Sequence, residues 1–330
     1  MNKVVLVLLL ALMVSGCTGF PDLSSIFGGG QKVKEEPEDV IVVEDLTVMP
    51  PSSINADDEF SVSFNIANVD ETDNVDVGYR LLDSGLCYLL NSLGGFCSGG
   101  QSCYPLDEGS CSGRCTQDST GCCWDPYGEV FPGFVPGQVE FVEWTFRAPK
   151  NEQIGYLSTR CPIRFIIGYD YQAASEIEVN VITDDRYEYL KQSGEFETFT
   201  PTLVLGRGPI KIHMELGVSL PVRTGKTVPF YVTVEDKGSG LLEEIGANNL
   251  TIKTIGPRTP DCGSRFTCTG NTCSNTEPII MISRKSPTIK CNFTAPSNID
   301  LERTYFIDAI MDYSYRIVEE TSIDVNPSPA

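Results

Sequence analysis

The sequence predicts an all-β protein: two tandem antiparallel β-sandwich domains, the first carrying a disulfide-rich loop insertion. Three observations lead there. Apolar residues recur at period two in many short runs, and no stretch sustains a period of 3.6. Those runs are separated by turns rich in Gly, Pro, Asp and Asn, the layout of a sandwich. Of the 13 cysteines, eight fall between Cys87 and Cys161 and four between Cys262 and Cys291. Each group is even, as expected if disulfides form within domains.

The N-terminus sets the compartment. Lys3 precedes an unbroken apolar run over 4–14. That is about half the length needed to cross a bilayer as a helix. The run closes at small residues, Val14-Ser15-Gly16-Cys17, so 1–17 reads as a secretory signal. These four residues resemble the lipobox of envelope lipoproteins. The resemblance implies that Cys17 is lipidated, becomes the first mature residue, and ties the chain to the extracellular face of the cytoplasmic membrane. Twelve further cysteines suit an oxidising compartment. With 45 acidic against 24 basic residues the net charge is −21, which makes nucleic acid and anionic lipid poor partners. At 41% hydrophobic and 21% charged the chain is globular, and 330 residues suffice for two domains.

Residues 18–39 hold Gly28-Gly29-Gly30 and then Lys32, Lys34, Glu35, Glu36, Pro37, Glu38 and Asp39, the make-up of a flexible tether. The first sandwich is expected over 40–183. Phe60, Val62, Phe64 and Ile66 alternate with polar residues, and Val75, Val77, Tyr79 and Leu81 do so after a polar turn. The insertion occupies 87–137. Val139, Phe141, Trp144 and Phe146 mark the next strand, with a slip near Val142 that a bulge would absorb. Ile163, Phe165, Ile167, Tyr169 and Tyr171 alternate, and a separate short strand over 177–181 closes the domain. Residues 184–208 read as a linker holding one short helix over 184–193, stopped by Gly194.

The second sandwich is expected over 209–326. Ile210, Ile212, Met214 and Leu216 form one strand and Val228, Phe230, Val232 and Val234 the next, where Pro229 suggests an edge strand or a bulge. Leu250 and Ile252, Ile280 and Ile282, and Ile289, Cys291 and Phe293 add short strands. Tyr305, Ile307, Ala309, Met311, Tyr313 and Tyr315 alternate over a long stretch, and Ile323 and Val325 close the chain.

The halves read as copies. Phe146-Arg147-Ala148-Pro149-Lys150-Asn151 matches Phe293-Thr294-Ala295-Pro296-Ser297-Asn298, and each precedes a long alternating strand reaching Asp170-Tyr171 or Asp312-Tyr313. In pattern, 40–325 resembles the tandem immunoglobulin-like repeats, of the CARDB kind, on archaeal and bacterial surface proteins. That resemblance implies two Ig-like sandwiches. The chain departs from the antibody pattern, since its cysteines cluster in loops.

Candidate sites are few. Cys87, Cys97, Cys103, Cys111, Cys115, Cys122, Cys123 and Cys161, and Cys262, Cys268, Cys273 and Cys291, are the expected disulfide formers, with Cys161 stapling the insertion to the sandwich. A zinc site needs paired Cys spacings, and only Cys111 and Cys115 fit, so no metal is expected. In the insertion Tyr104, Trp124, Tyr127, Phe131 and Phe134 are candidate contact aromatics. The favoured reading is that they simply cover a thin sheet face. Asn68, Asp70, Glu71, Asp73, Asn74 and Asp76 form an oxygen-rich turn that could hold calcium, although a plain polar turn is the better reading. Asn249-Leu250-Thr251 and Asn292-Phe293-Thr294 are glycosylation sequons, meaningful in an exported protein.

No catalytic residues and no cofactor are expected. His213, the only histidine, lies on the polar side of a strand, which nearly excludes a Ser-His-Asp or Cys-His centre. Asp83-Ser84-Gly85 resembles an aspartic-protease motif but has no second copy, and reads as a strand-end turn. No pair among the carboxylates is singled out for glycoside hydrolysis. The expected function is therefore binding: a membrane-anchored surface protein acting as a structural, adhesion or assembly module, with a surface protein or polysaccharide as partner. The alternatives are a carbohydrate-active or protease-accessory protein, and a solute-binding lipoprotein, which the missing helical periodicity disfavours.

Overall fold

The computed structural model describes residues 39–90, 129–198, 201–254 and 260–329, with short strand pieces at 32–34, 96–97, 101–102, 116–117 and 123–124. Cys17, Cys103, Cys111, Cys115, Cys122, Tyr104 and Tyr127 lie outside the described residues, as do the side chains of Cys97, Cys123 and Trp124. The described chain is mostly antiparallel strand, as the period-two pattern requires. Among the described residues the one helix has 10 residues, and none is long and apolar enough to cross a membrane.

One layered body forms from the early strands. Ile41–Met49, Glu59–Asn68, Val139–Arg147 and Tyr88–Leu89 make a four-stranded sheet in that order. Alternation buries Phe60, Val62, Phe64 and Ile66 on one face. That face meets a second sheet built on Glu129–Phe134, Val75–Asp83 and the strand Thr159–Ile182. Phe64 stacks on Phe165 at 4.3 Å between ring centres, and Trp144 meets the same ring edge-on at 5.3 Å. Burying each such Phe contributes about 1.5–3 kcal/mol.

The slip expected near Val142 is absent. Val139–Arg147 pairs with Glu59–Asn68 in unbroken register, so the inward set is Val142, Trp144 and Phe146. Phe141 and Val139 face outward and are 63% and 53% exposed. Period two fixes this: Trp144 and Phe146 are the larger burial, and Phe141 has the opposite parity.

The second body repeats the scheme. Ile210–Leu216, Thr227–Asp236 and Ile289–Thr294 form a three-stranded sheet. Pro229 sits in its central strand, not at an edge. The Pro229 carbonyl accepts from Gly217 (2.8 Å), and the nitrogen points the same way, past the last registered pair Leu216–Phe230. No bond to Ile289–Thr294 is therefore lost to the missing N–H. Ile279–Ile280 buries Ile279, while Ile280 and Ile282 face solvent, a one-residue shift from the expected inward pair.

The halves match in detail. Ile41 stands opposite Asn68 and Glu59 opposite Arg147; Ile210 stands opposite Asp236 and Thr227 opposite Thr294. Just beyond, Ala148 N donates to Asp58 O (2.8 Å) and Ala295 N to Lys226 O (2.9 Å).

What joins the halves is a two-stranded ribbon. Thr159–Ile182, 24 residues, pairs with Glu302–Asn326, 25 residues, in one unbroken antiparallel register. At about 3.4 Å per residue it is about 80 Å long. The separate closing strands expected at 177–181 and 323–325 are continuations of these long strands. The reason is visible in 171–176, Tyr-Gln-Ala-Ala-Ser-Glu, which contains no Gly, Pro, Asn or Asp to make a hairpin.

The consequence is a reciprocal exchange. Residues 164–169 pair with Val75–Asp83 in the first body, while 175–177 pair with Thr202–Leu205 and 181–182 with Val222–Arg223 in the second. Conversely 307–311 pair with Leu250–Thr254 in the second body, and 324–326 pair with Ser53–Asn55 in the first. Tyr171 stands opposite Tyr313, its counterpart in the repeat, so a pseudo-twofold axis passes through this pair. The buried residues of both bodies form one continuous core cluster.

The helix Asp184–Ser193 lies in the stretch read as a linker. Thr183 caps it through Oγ1 to Arg186 N (3.2 Å), Asp184 and Asp185 complement the dipole, and Gly194 ends it at φ 74°. Disulfides join Cys87 to Cys161, Cys262 to Cys291 and Cys268 to Cys273. The first staples the entry of the insertion to the ribbon.

Candidate functional site

Midway along the ribbon, between 169 and 174, the first long strand has no paired strand beside it, because Val75–Asp83 has ended and the chain that bonds to Ala174 through Gly206 and continues Thr202–Leu205 has not begun. That gap is a notch at the waist of about 870 Å³. Asp170, Gln172, Asp312 and Ser314 floor it; Asp73 and Asn74 stand on one side, Arg207 on the other, and Asn249 on the rim. The notch thus gathers three separate features of the sequence: the oxygen-rich turn, the repeated Asp-Tyr pairs and one sequon.

Each carboxylate here is held by a neighbour. Asp170 accepts a short bond from Ser314, Gln172 donates to Asp312 (2.8 Å), and Asp73 lies 3.0 Å from the Tyr171 hydroxyl, whose one proton it shares with Asp70. Asp70, with a side chain only 1% exposed, accepts from Tyr171 (2.5 Å), the Thr72 amide (2.7 Å) and the Asp73 amide (3.0 Å), and Arg207 lies 3.6 Å away. Burial alone would raise its pKa, but these donors outweigh burial and hold it below the usual carboxylate value. Burial and the Asp70 bond together push the Tyr171 hydroxyl well up. Asp76 accepts from the Gly133 amide (2.7 Å). The acidic turn is therefore knit by its own chain, and among the described residues no group of three or more His, Cys, Asp and Glu converges on a metal position.

The waist is clamped from the second body by Asp236. Its side chain is 0% exposed and accepts from Arg284 Nη2 (2.8 Å), Tyr315 Oη (2.8 Å) and the Leu242 amide (3.2 Å). Arg284 reaches it from a two-residue hairpin in which Ser283 and Arg284 adopt φ of 51° and 68°. Two non-glycine residues in the left-handed region cost about 1 kcal/mol or more each. The three bonds Arg284 makes to Asp236 and Gly238 offset that strain. Gly208 lets its loop cross the pseudo-axis: at φ 86°, an added Cβ would lie 2.9 Å from Tyr313 Oη and from the Tyr171 ring. Among the described residues the buried Tyr169 hydroxyl has no hydrogen-bond partner. Asp39 Oδ1 accepts from Ser239 N (3.2 Å).

Other expected residues lie elsewhere. His213 sits 3.3 Å from Glu235 on the outer face of the second body, and Lys237 and Lys285 reach the same carboxylate. Burial would raise the Glu235 pKa, but the two lysines bring it below its usual value. Asp83-Ser84-Gly85 is a strand-end turn: Ser84 Oγ donates to Cys87 O (2.7 Å) and Asp83 accepts from the Gly85 amide (2.8 Å). Phe134 is 1% exposed and stacks on Phe131, which in turn lies on Tyr79, so both serve the core and not a contact surface. Asn292 is half-buried inside paired strands, between Pro229 and Asp261. Sequence reasoning missed Arg207, Gln172 and Gly208; only the glycine pair Gly206 and Gly208 around Arg207 marked that loop.

No protein-family model and no curated protein matches the chain. Among solved structures, similarity is found to one titled as manganese lipoxygenase of Gaeumannomyces graminis with partial zonadhesin of Komagataella pastoris, at 11% identity, 86% of this chain, 96% of that chain and TM-score 0.21. Red sea bream transglutaminase is similar at 9% identity over 86% of this chain and 31% of that chain, with TM-score 0.18. Superpositions this poor assign neither fold nor function.

Proposed function

We propose that the chain is an exported, lipid-anchored surface protein of two Ig-like sandwich bodies that binds a partner and does not catalyse. The observation that carries this reading is that all six cysteines with described side chains are paired, in three disulfides. Such pairing persists outside the cytoplasm and is rare within it. Display is favoured by the ribbon, whose exchange of strands couples the two bodies into a stiff unit. Binding is favoured over catalysis by the notch, where each floor carboxylate is already hydrogen-bonded and His213 is remote. The partner class is a surface protein or a polysaccharide, whose hydroxyl and amide groups suit a recess that holds three carboxylates, one arginine and several amide and hydroxyl groups.

The test is fractionation of cells making the wild type and Cys17→Ser. The wild type should sediment with membranes, and the variant should be released. Membrane retention of Cys17→Ser would count against the anchor. Thiol titration of the external protein should find the twelve mature cysteines blocked.

A further inference from the structure

We propose that Asn249 carries an N-linked glycan whose first sugars lie in the waist notch. This rests on the proposed export and goes beyond it. The sequence offers two sequons, Asn249-Leu250-Thr251 and Asn292-Phe293-Thr294, and the structure treats them differently. Asn292 is built into the sheet: it opposes Pro229 on one side and exchanges both backbone bonds with Asp261 on the other, at 2.7 and 3.0 Å. Asn249 instead precedes its strand, which Leu250 and Thr251 enter; it follows a turn in which Asn248 adopts φ 65°, and it is one of the residues that line the notch. Its backbone carbonyl accepts from Asp312 N (3.0 Å), which fixes the Asn249 main chain beside a residue of the notch floor.

The notch is polar, is open to solvent and is fringed with groups that suit sugar hydroxyls. Asn74, Gln172, Asp312 and Arg207 supply donors and acceptors within one recess of about 870 Å³. A glycan rooted on the rim needs no affinity of its own to occupy this space, because its attachment sets a high local concentration. The chemistry is a transfer from a lipid-linked sugar phosphate. Asn249 Nδ2 bonds to the anomeric carbon, the carbon–oxygen bond to phosphate breaks, the phosphate leaves with the electron pair, and the transferase takes the amide proton.

The test uses the full-length protein purified from the membranes of its own cells. Intact mass and peptide mapping should show added sugar mass on the peptide containing Asn249 and none on that containing Asn292. Asn249→Gln and Thr251→Ala should each lose the whole added mass, and Asn292→Gln should lose none. Carbodiimide labelling of Asp312 and Asp73 should rise in Asn249→Gln as the notch empties. A membrane protein of bare polypeptide mass, or one modified at Asn292, overturns the inference and leaves the proposed function standing. Sugar on Asn249 with unchanged labelling overturns its seat in the notch. Protein confined to the cytosol overturns both readings.

Discussion

Asp236→Ala probes the clamp that holds the second body to the ribbon. The carboxylate is fully buried and serves Arg284, Tyr315 and the Leu242 amide. Truncation leaves the Tyr315 hydroxyl and the Leu242 amide buried without partners, at about 1–3 kcal/mol each. Arg284 is 41% exposed and can turn to water, so it adds less than an orphaned buried charge would. The left-handed hairpin that Arg284 stabilised would relax as well. The expected cost is about 3–5 kcal/mol, a large part of a domain's usual 5–15. Tyr315→Phe, which leaves Asp236 its other donors, should cost about 1 kcal/mol. Urea unfolding followed by tryptophan fluorescence gives both values and, with the double variant, their coupling. A cost for Asp236→Ala below about 1 kcal/mol would refute the clamp.

Two further predictions follow from the first body. Asp70 has a lowered folded pKa, so its contribution is fully present above the unfolded value of about 3.9 and is lost as pH falls through the folded value. Tyr171→Phe removes one donor and should lower stability by about 1–2 kcal/mol at neutral pH, with the gap to wild type closing on acidification below about pH 4; a gap independent of pH would contradict the role given to that bond. Trp144→Ala should cost about 3–5 kcal/mol, while Phe141→Ser on the outward face should change stability by less than about 0.5. Equal costs would mean that the register of Val139–Arg147 is wrong.

Much of the architecture was legible because burial follows local alternation. Phe60, Val62, Phe64 and Ile66 announce their strand, and Thr183 and Gly194 announce the helix by cap chemistry. Alternation does not name the partner, however. Nothing in Ile177 or Val179 says that these residues complete the other body's sheet. The only hint was negative, the lack of turn residues after Tyr171. Phe141 misled because apolar character was counted without its parity relative to Trp144. The notch was legible in pieces but not as a site. Asp73, Asn249 and Asp312 are far apart in sequence, and only the pseudo-twofold pairing of Tyr171 with Tyr313 brings them together.

The central claim is that each body is completed by a strand from the other half. A protease site placed among the exposed residues after Glu195 and cut in the folded protein tests it most directly. The two fragments should stay together as one particle in native gel filtration and part only under denaturant, because 175–182 and 315–326 remain paired across the halves. Fragments that separate into two folded bodies on cleavage would contradict the exchange.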